Sequence, residues 1–229
     1  MCSSGSGGQC RKILPSSPEA SPSATRAGIL DIIAKRRMIR SFHDAPVESQ
    51  LVDALVTAAH AGPSAGNSRS LELLVLRDDE VANYWSVTLP ESARASFPWP
   101  GLLIAPLLIV PYIDPSMYVD RYSEADKERT GLGVGVDAWS VPYWWVDGGA
   151  ATENLLLAAT GLGLGACLFG QFEHEAAVRE RFGVPADMRA IGTIAIGYPD
   201  RDNDRRSKSA GRPRRPAADV THYGSWQPT

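Results

Sequence analysis

The chain has 229 residues, 44% of them hydrophobic, which suits one compact domain with a real core. Its formal net charge of −3 and isoelectric point near 5.8 exclude the strongly basic footprint of a nucleic-acid binder. No apolar run approaches the roughly eighteen residues of a membrane span, so neither nucleic acid nor a membrane is an expected partner.

The first 26 residues hold seven Ser, three Pro and three Gly and read as a flexible leader. Two of the three cysteines, Cys2 and Cys10, fall in it, and Cys167 falls in a Gly-rich apolar segment. That spacing supports neither a disulfide framework nor a zinc site, so no metal is expected. The N-terminus has no basic start followed by an apolar stretch, so a secretory signal is not expected and the reduced cytoplasm is the default setting. The folded domain is expected over 27–229, and its first helix should start near Gly28 and run into Arg36-Arg37.

Pro46-Val47-Glu48 opens a second helix, with Leu51, Leu55, Ala58 and Ala59 at helical spacing as far as Ala61. Leu71–Leu76 and Leu102–Tyr112 read as strands, the latter inside an apolar stretch broken by Pro106 and Pro111. The charged stretch Asp120–Arg129 suggests an exposed helix. After it, Trp139, Tyr143, Trp144 and Trp145 cluster as packing or as an aromatic pocket wall. Asp147 looks like the cap of a buried helix running to Leu162, which Gly161, Gly163 and Gly165 end. An amphipathic helix over Glu173–Phe182 and a strand over Ala190–Tyr198 complete the domain. Two helices before any strand suggest a layered α/β or α+β domain rather than a regular βαβ series.

Arg36, Arg37 and Arg40 place three guanidinium groups within five residues, and Ala61–Ser68 is a loop of small residues and hydroxyls ending in Asn67-Ser68. Together they offer cations for a phosphate and an electron-rich ring, and amides for the edge of a planar heterocycle. The same arginines also suit a solvated helix end. Residues 200–215 carry six Arg and one Lys against three Asp, a net 7 − 3 = +4. Arg212 and Arg214 alternate on an extended stretch before Pro216 and can grip one phosphate, or form a solvated tail. Gly161-Leu162-Gly163-Leu164-Gly165 follows a helix rather than a strand, which excludes a Rossmann fingerprint. Beyond it, Leu168-Phe169-Gly170-Gln171-Phe172 could set backbone N–H groups beside a ring nitrogen. No Ser/His/Asp order or paired carboxylates stand out, and His43, His60, His174 and His222 read as surface or packing residues.

Five segments in order carry a resemblance: Arg36–Phe42, Ala61–Ser68, Asp147–Ala159 with Gly161–Gly165, Ile194–Pro199, and Arg214-Arg215-Pro216. Over residues 27–226 the chain resembles the nitroreductase family of FMN-dependent oxidoreductases. The resemblance implies an α+β fold, a three-layer α/β/α sandwich forming a homodimer through long central helices, with a C-terminal extension wrapping the partner. It implies two FMN sites at the dimer interface. Arg36 would meet the phosphate or ribityl end, with Arg37 and Met38 beside it, and Arg40 near the pyrimidine edge. Pro63, Ser64, Ala65 and Asn67 would approach from the partner subunit. Leu168, Phe169, Gly170 and Gln171 would lie over the ring near N5, and Arg212 and Arg214 would complete the phosphate site.

The implied activity is ping-pong hydride transfer from NADH or NADPH through the flavin to a small planar electrophile, a nitroaromatic or a quinone. The flavin N5 carries that chemistry, so no catalytic side chain is required. Met38 stands where the family usually has Ser, which removes one side-chain hydrogen bond to the cofactor. Tyr112, Trp139, Trp144 and Trp145 fall in the segments that vary most in the family and are candidates for the substrate pocket. Two rivals remain: a specialised flavoenzyme of the same fold (a dehydrogenase, a dehalogenase or a flavin-consuming enzyme), and a protein that holds flavin without turnover.

Overall fold

The structure, a computed structural model, describes residues 22–226. Residues 1–21, most of the expected leader, lie outside the described residues. The chain divides after Lys35 into two units. In the first, helix α1 spans Pro22–Lys35. It therefore starts inside the Ser- and Pro-rich stretch expected to lack regular structure, because a proline at the first helical position is already set at a helical φ. It also stops one residue short of Arg36, rather than running into the arginine pair.

The second unit holds α2 (Ser49–His60), β1 (Leu71–Arg77), α3 (Asp79–Thr88), α4 (Glu91–Arg94), β2 (Leu107–Ile113), α5 (Pro115–Tyr122), α6 (Tyr143–Gly161), β3 (Gly165–Phe169), α7 (Glu175–Phe182), β4 (Arg189–Ala190) and β5 (Thr193–Gly197). The strands form one antiparallel sheet in the order β1-β2-β5-β3, with β4 beside the end of β2. All seven residues of β2 are buried. Alternate side chains leave a strand on opposite faces. Leu107 and Ile109 accordingly meet Leu55, Ala59, Leu155 and Leu156 of α2 and α6, with Ile194 and Ile196 beside them. Leu108 and Val110 enter the opposite cluster, with Tyr84 and Trp85 of α3 and Val178 of α7. Helices thus cover both faces, and the expected three-layer sandwich is present.

Several expected elements shift for local reasons. Helix α2 starts at Ser49 rather than Pro46, because Val47 is buried and its carbonyl accepts the Arg77 Nη2 hydrogen bond at 2.7 Å. The apolar stretch 101–113 is not all strand. Pro100–Ile104 forms a 3-10 turn, Ala105 before Pro106 is extended, and β2 begins at Leu107. Residues 190–198 divide into β4 and β5 at Ile191-Gly192, opposite the gap between the two partners of β2. Pro111, which has no N–H to donate, sits in that gap and accepts from Ile191 N at 2.9 Å.

The charged helix expected over 120–129 is α5 instead, capped by Asp114, whose carboxylate accepts from Ser116 N at 2.8 Å. It ends at Tyr122. Helix α6 starts at Tyr143, so Asp147 is not its cap. Strand β3 and helices α3 and α4 were not anticipated, although Val81, Tyr84 and Trp85 repeat at helical spacing.

Three tyrosines make the fold sensitive to alkali. Burial pushes the phenols of Tyr84, Tyr112 and Tyr118 each up to about 12. A tyrosine in the unfolded chain titrates near 10. The native state therefore keeps its protons where the unfolded state releases them, and stability falls with rising pH. It should be full below about pH 10 and lost progressively between 10 and 12. Urea midpoints measured across that window check this, and Tyr84→Phe should flatten the decline.

Candidate functional site

The segment after α1 is extended and is laced to the edge of the sheet. Ile39 N donates to Ala166 O of β3 at 2.9 Å, and His43 N donates to Tyr198 O at 2.9 Å, just beyond β5. Short bridges join Met38 to Ala166 and Phe42 to Pro199. The segment's four candidate residues have different surroundings. Arg36 pairs with Glu153 of α6 at 3.1 Å. Arg37 is exposed. Met38 turns toward β3, where its Sδ accepts from Leu168 N at 3.4 Å and its side chain packs against both core clusters. Arg40 lies over the Trp99 ring, with its guanidinium carbon 5.6 Å from the ring centroid, while its backbone N donates to Asp204 Oδ1 at 2.8 Å.

The loop after α2 is fixed by a buried acid. Asp147 Oδ2 accepts from Ala65 N at 2.7 Å and from the Tyr118 hydroxyl at 2.8 Å. Asp147 sits one turn inside α6 and only 7% of it is exposed. A buried carboxylate is tolerable only with such donors. Arg121 Nε closes the loop from α5 by donating to Gly66 O at 2.8 Å. Gly66, Asn67 and Arg69 have φ of 62°, 60° and 52°, so the turn winds through the left-handed region. Ser64 Oγ accepts from Arg69 N, and Asn67 Oδ1 accepts from Arg69 Nε, both at 2.8 Å. Pro63 and Asn67 are exposed, Ser64 and Ala65 half-buried. Pro63, Ser64 and Asn67 border a cavity of about 230 Å³ with Tyr118 and Asp147.

At the end of β3, Phe169 stacks on Trp85 with centroids 5.7 Å apart, and Leu168 is half-buried beside it. Gly170 is exposed, and a Cβ there would meet the Phe172 ring at 2.7 Å. Gln171 turns its side chain into the core rather than toward the surface. Its Nε2 donates to Thr193 Oγ1 at 3.1 Å, and Thr193 also bonds the Tyr84 hydroxyl at 2.7 Å. Arg40, Leu168, Phe169 and Gly170 line one cavity of about 310 Å³, walled by Trp85, Phe97 and Trp99 among others.

The remaining candidates are dispersed. Tyr112 is closed into β2 and 2% exposed, so in this chain it lines no open pocket. Trp139 and Trp144 pack with Tyr118 and Ile113 in a third core cluster, whereas Trp145 is 44% exposed on α6. Arg212 and Arg214 are exposed, and Arg212 is extended before Pro213. No group of acids, histidines and cysteines suited to a metal occurs among the described residues.

Glu153 and Trp99 are not among the expected site residues, and Asp147 is expected only as a helix cap. Glu153, the partner of Arg36, and Asp147, the anchor of the loop, are the only two charged residues in α6. An isolated charge in an apolar helix is the signal that could have found them. Trp99 is bracketed by Pro98 and Pro100.

Comparisons with known proteins identify the family and the fold. Residues 33–198 match the model of the Nitroreductase family. A protein of Archaeoglobus fulgidus assigned as an NADH dehydrogenase/NAD(P)H nitroreductase is 30% identical over 186 residues, covering 76% of this chain and 87% of that one. The structure of the NADPH:FMN oxidoreductase of Vibrio harveyi superposes with a TM-score of 0.63 at 22% identity, covering 88% of this chain and 79% of that one. An FMN-dependent nitroreductase of Clostridium difficile superposes with a TM-score of 0.59 at 23% identity, covering 86% and 99%. The matched span, the relative and the shared three-layer fold lead to one conclusion: this chain belongs to the nitroreductase family.

Proposed function

We propose that the chain is an FMN-dependent oxidoreductase that takes electrons from NADH or NADPH and delivers them to small planar electrophiles such as nitroaromatics and quinones. One observation carries the reading. Arg40 of the extended segment and Phe169-Gly170 at the end of β3, far apart in sequence, line a single aromatic-walled cavity. The residues fit the cofactor in kind: guanidinium groups at both ends of a five-residue stretch for its anionic groups, and aromatic walls for its ring. When bound, FMN supplies a two-electron carrier.

The chain's own residues do the placing. Arg36 meets the phosphate end, with Arg37 and the Met38 backbone beside it and Arg212 and Arg214 completing the charge. Glu153 holds Arg36 in position and must share it with the phosphate. Arg40 stands at the pyrimidine edge, where a fixed cation favours the reduced anion. Leu168, Phe169, Gly170 and the Gln171 backbone flank the ring. The buried side chain of Gln171 ties that turn to β5.

Pro63, Ser64, Ala65 and Asn67 serve a second subunit's cofactor, so the site is complete in a homodimer. The exposed stripe of Tyr143, Trp145 and Val146 on α6 supports this assembly, as do exposed Val220, Tyr223 and Trp226 near the C-terminus. Trp145 is the pocket-wall candidate that the packing leaves accessible. We place the activity in the cytoplasm, where nicotinamide donors are available. No helix among the described residues is long and apolar enough to cross a membrane.

Anaerobic addition of NADH or NADPH to the FMN-loaded protein should bleach the flavin, and a nitroaromatic or quinone should restore its colour. Bound flavin that neither nucleotide bleaches would instead mark a binding protein without turnover. In a separate test, Arg36→Ala should weaken FMN binding by about 1.5–3 kcal/mol, the scale of a charged hydrogen bond. Unchanged affinity in a fluorescence titration would remove Arg36 from the phosphate site.

A further inference from the structure

Arg40 is held differently from Arg36 and Arg121. Arg121 is gripped by Asp126 through two 2.8 Å hydrogen bonds, and Arg36 by Glu153. Arg40 makes no ion pair among the described residues, and its guanidinium hydrogen bond, to Met38 O, is long at 3.5 Å. Beyond that bond, the guanidinium lies over the face of Trp99, its carbon 5.6 Å from the ring centroid. A carboxylate in that place would fix the guanidinium but cancel its field. An indole face orients the cation through its ring quadrupole and leaves the charge available to a ligand.

Trp99 is itself clamped. Pro98 and Pro100 restrict the backbone on both sides, and the Trp99 carbonyl accepts from Leu102 N at 2.9 Å. Gly101 packs so closely on the residue after Arg40 that a Cβ there would lie 2.8 Å from Ser41 Cα. The Phe97 ring meets the indole edge to face, with centroids 6.1 Å apart. Trp99 also borders a second cleft of about 270 Å³, which Arg40 shares with Asp200, Asn203 and Arg205. Arg40 can therefore reach either the aromatic cavity or a cleft holding a carboxylate, and the indole stands where the two adjoin. Asn203 donates to Asp200 and holds its carboxyl below the usual range, so this carboxylate is ionised, while Asp204 is engaged by the Arg40 backbone N–H.

We propose that Trp99 is a positioning residue for the redox site, keeping the Arg40 guanidinium unpaired and directed at the cavity lined by Phe169 and Gly170. It thereby raises both the reduction potential and the affinity of a bound flavin. The proposal rests on the assignment of Arg40 to the flavin's pyrimidine edge.

The test compares Trp99→Met, which fills the space without a π face, Trp99→Phe, which retains one, and Arg40→Ala. Trp99→Met should weaken FMN binding about three- to tenfold in a fluorescence titration. It should also lower the preference for reduced over oxidised flavin by about tenfold, a fall of about 30 mV in the two-electron potential. Trp99→Phe should recover most of both, and Trp99→Met should add nothing in an Arg40→Ala background. Equal losses in the Met and Phe variants, or a full effect of Trp99→Met without Arg40, would reduce Trp99 to bulk packing and overturn the proposal. If Trp99→Met matches the parent while Arg40→Ala lowers both readouts, the proposal fails and the flavin placement stands. If Arg40→Ala changes neither, the placement of Arg40 fails and the proposal with it. Should the Met variant not fold, Trp99→Phe measured with and without Arg40 decides on the same criteria.

Discussion

Strand β2 has no solvent side, and the architecture follows from that. Its seven residues are all buried, with Leu107 and Ile109 on one face and Leu108 and Val110 on the other. Each such side chain gains about 1.5–3 kcal/mol by leaving water, so an uncovered face would be expensive. Two helical layers are the result: α2 and α6 on one side, α3 and α7 on the other. With both faces taken, ligand-accessible backbone is confined to strand ends and to the loops that join the layers. The candidate site occupies those places, at the end of β3, along the segment laced to its edge, and at the loop preceding β1.

Charge near the site is handled in three ways, each suited to its burial. Asp147 is nearly inaccessible and is satisfied by neutral donors, the Ala65 N–H and the Tyr118 hydroxyl. Deleting either donor would leave a buried acceptor short of a partner, at a cost of about 1–3 kcal/mol. Arg36 and Arg121 are partly exposed and paired with carboxylates, which fixes their geometry while spending their field. Arg40 is oriented by an aromatic face and keeps its charge. A site built to receive an anionic or electron-rich ring needs a cation of this last kind.

Much of the fold could be read from the residue pattern because it depends on local periodicity. The α2 spacing of Leu51, Leu55 and Ala59, the strand at 71–76 and the glycine exit from α6 are local signals, and they occur within a few residues of their expected places. Errors arose where a distant partner overruled the local signal. The residues from Leu102 looked like strand, but the first of them belong to a 3-10 turn whose Gly101 packs against Ser41. Asp147 looked like a cap but lies a turn inside its helix, because Tyr143 and Trp144 extend the helix to reach the cluster around Tyr118 and Trp139. Tyr112 looked like a pocket residue, yet its side chain is enclosed in the central strand.

Sequence alone determined the chemistry on offer: closely spaced guanidinium groups, a small-residue loop, a glycine after an apolar run, and a family order of motifs. Those are properties of residue type and order, which need no coordinates. Tertiary structure decided what each charge faces, because partners such as Glu153, Asp147 and Trp99 are brought in by packing from 59 or more positions away. Whether a guanidinium is neutralised or left free depends on which side chain packing sets against it, and that contact is fixed by the layers around β2.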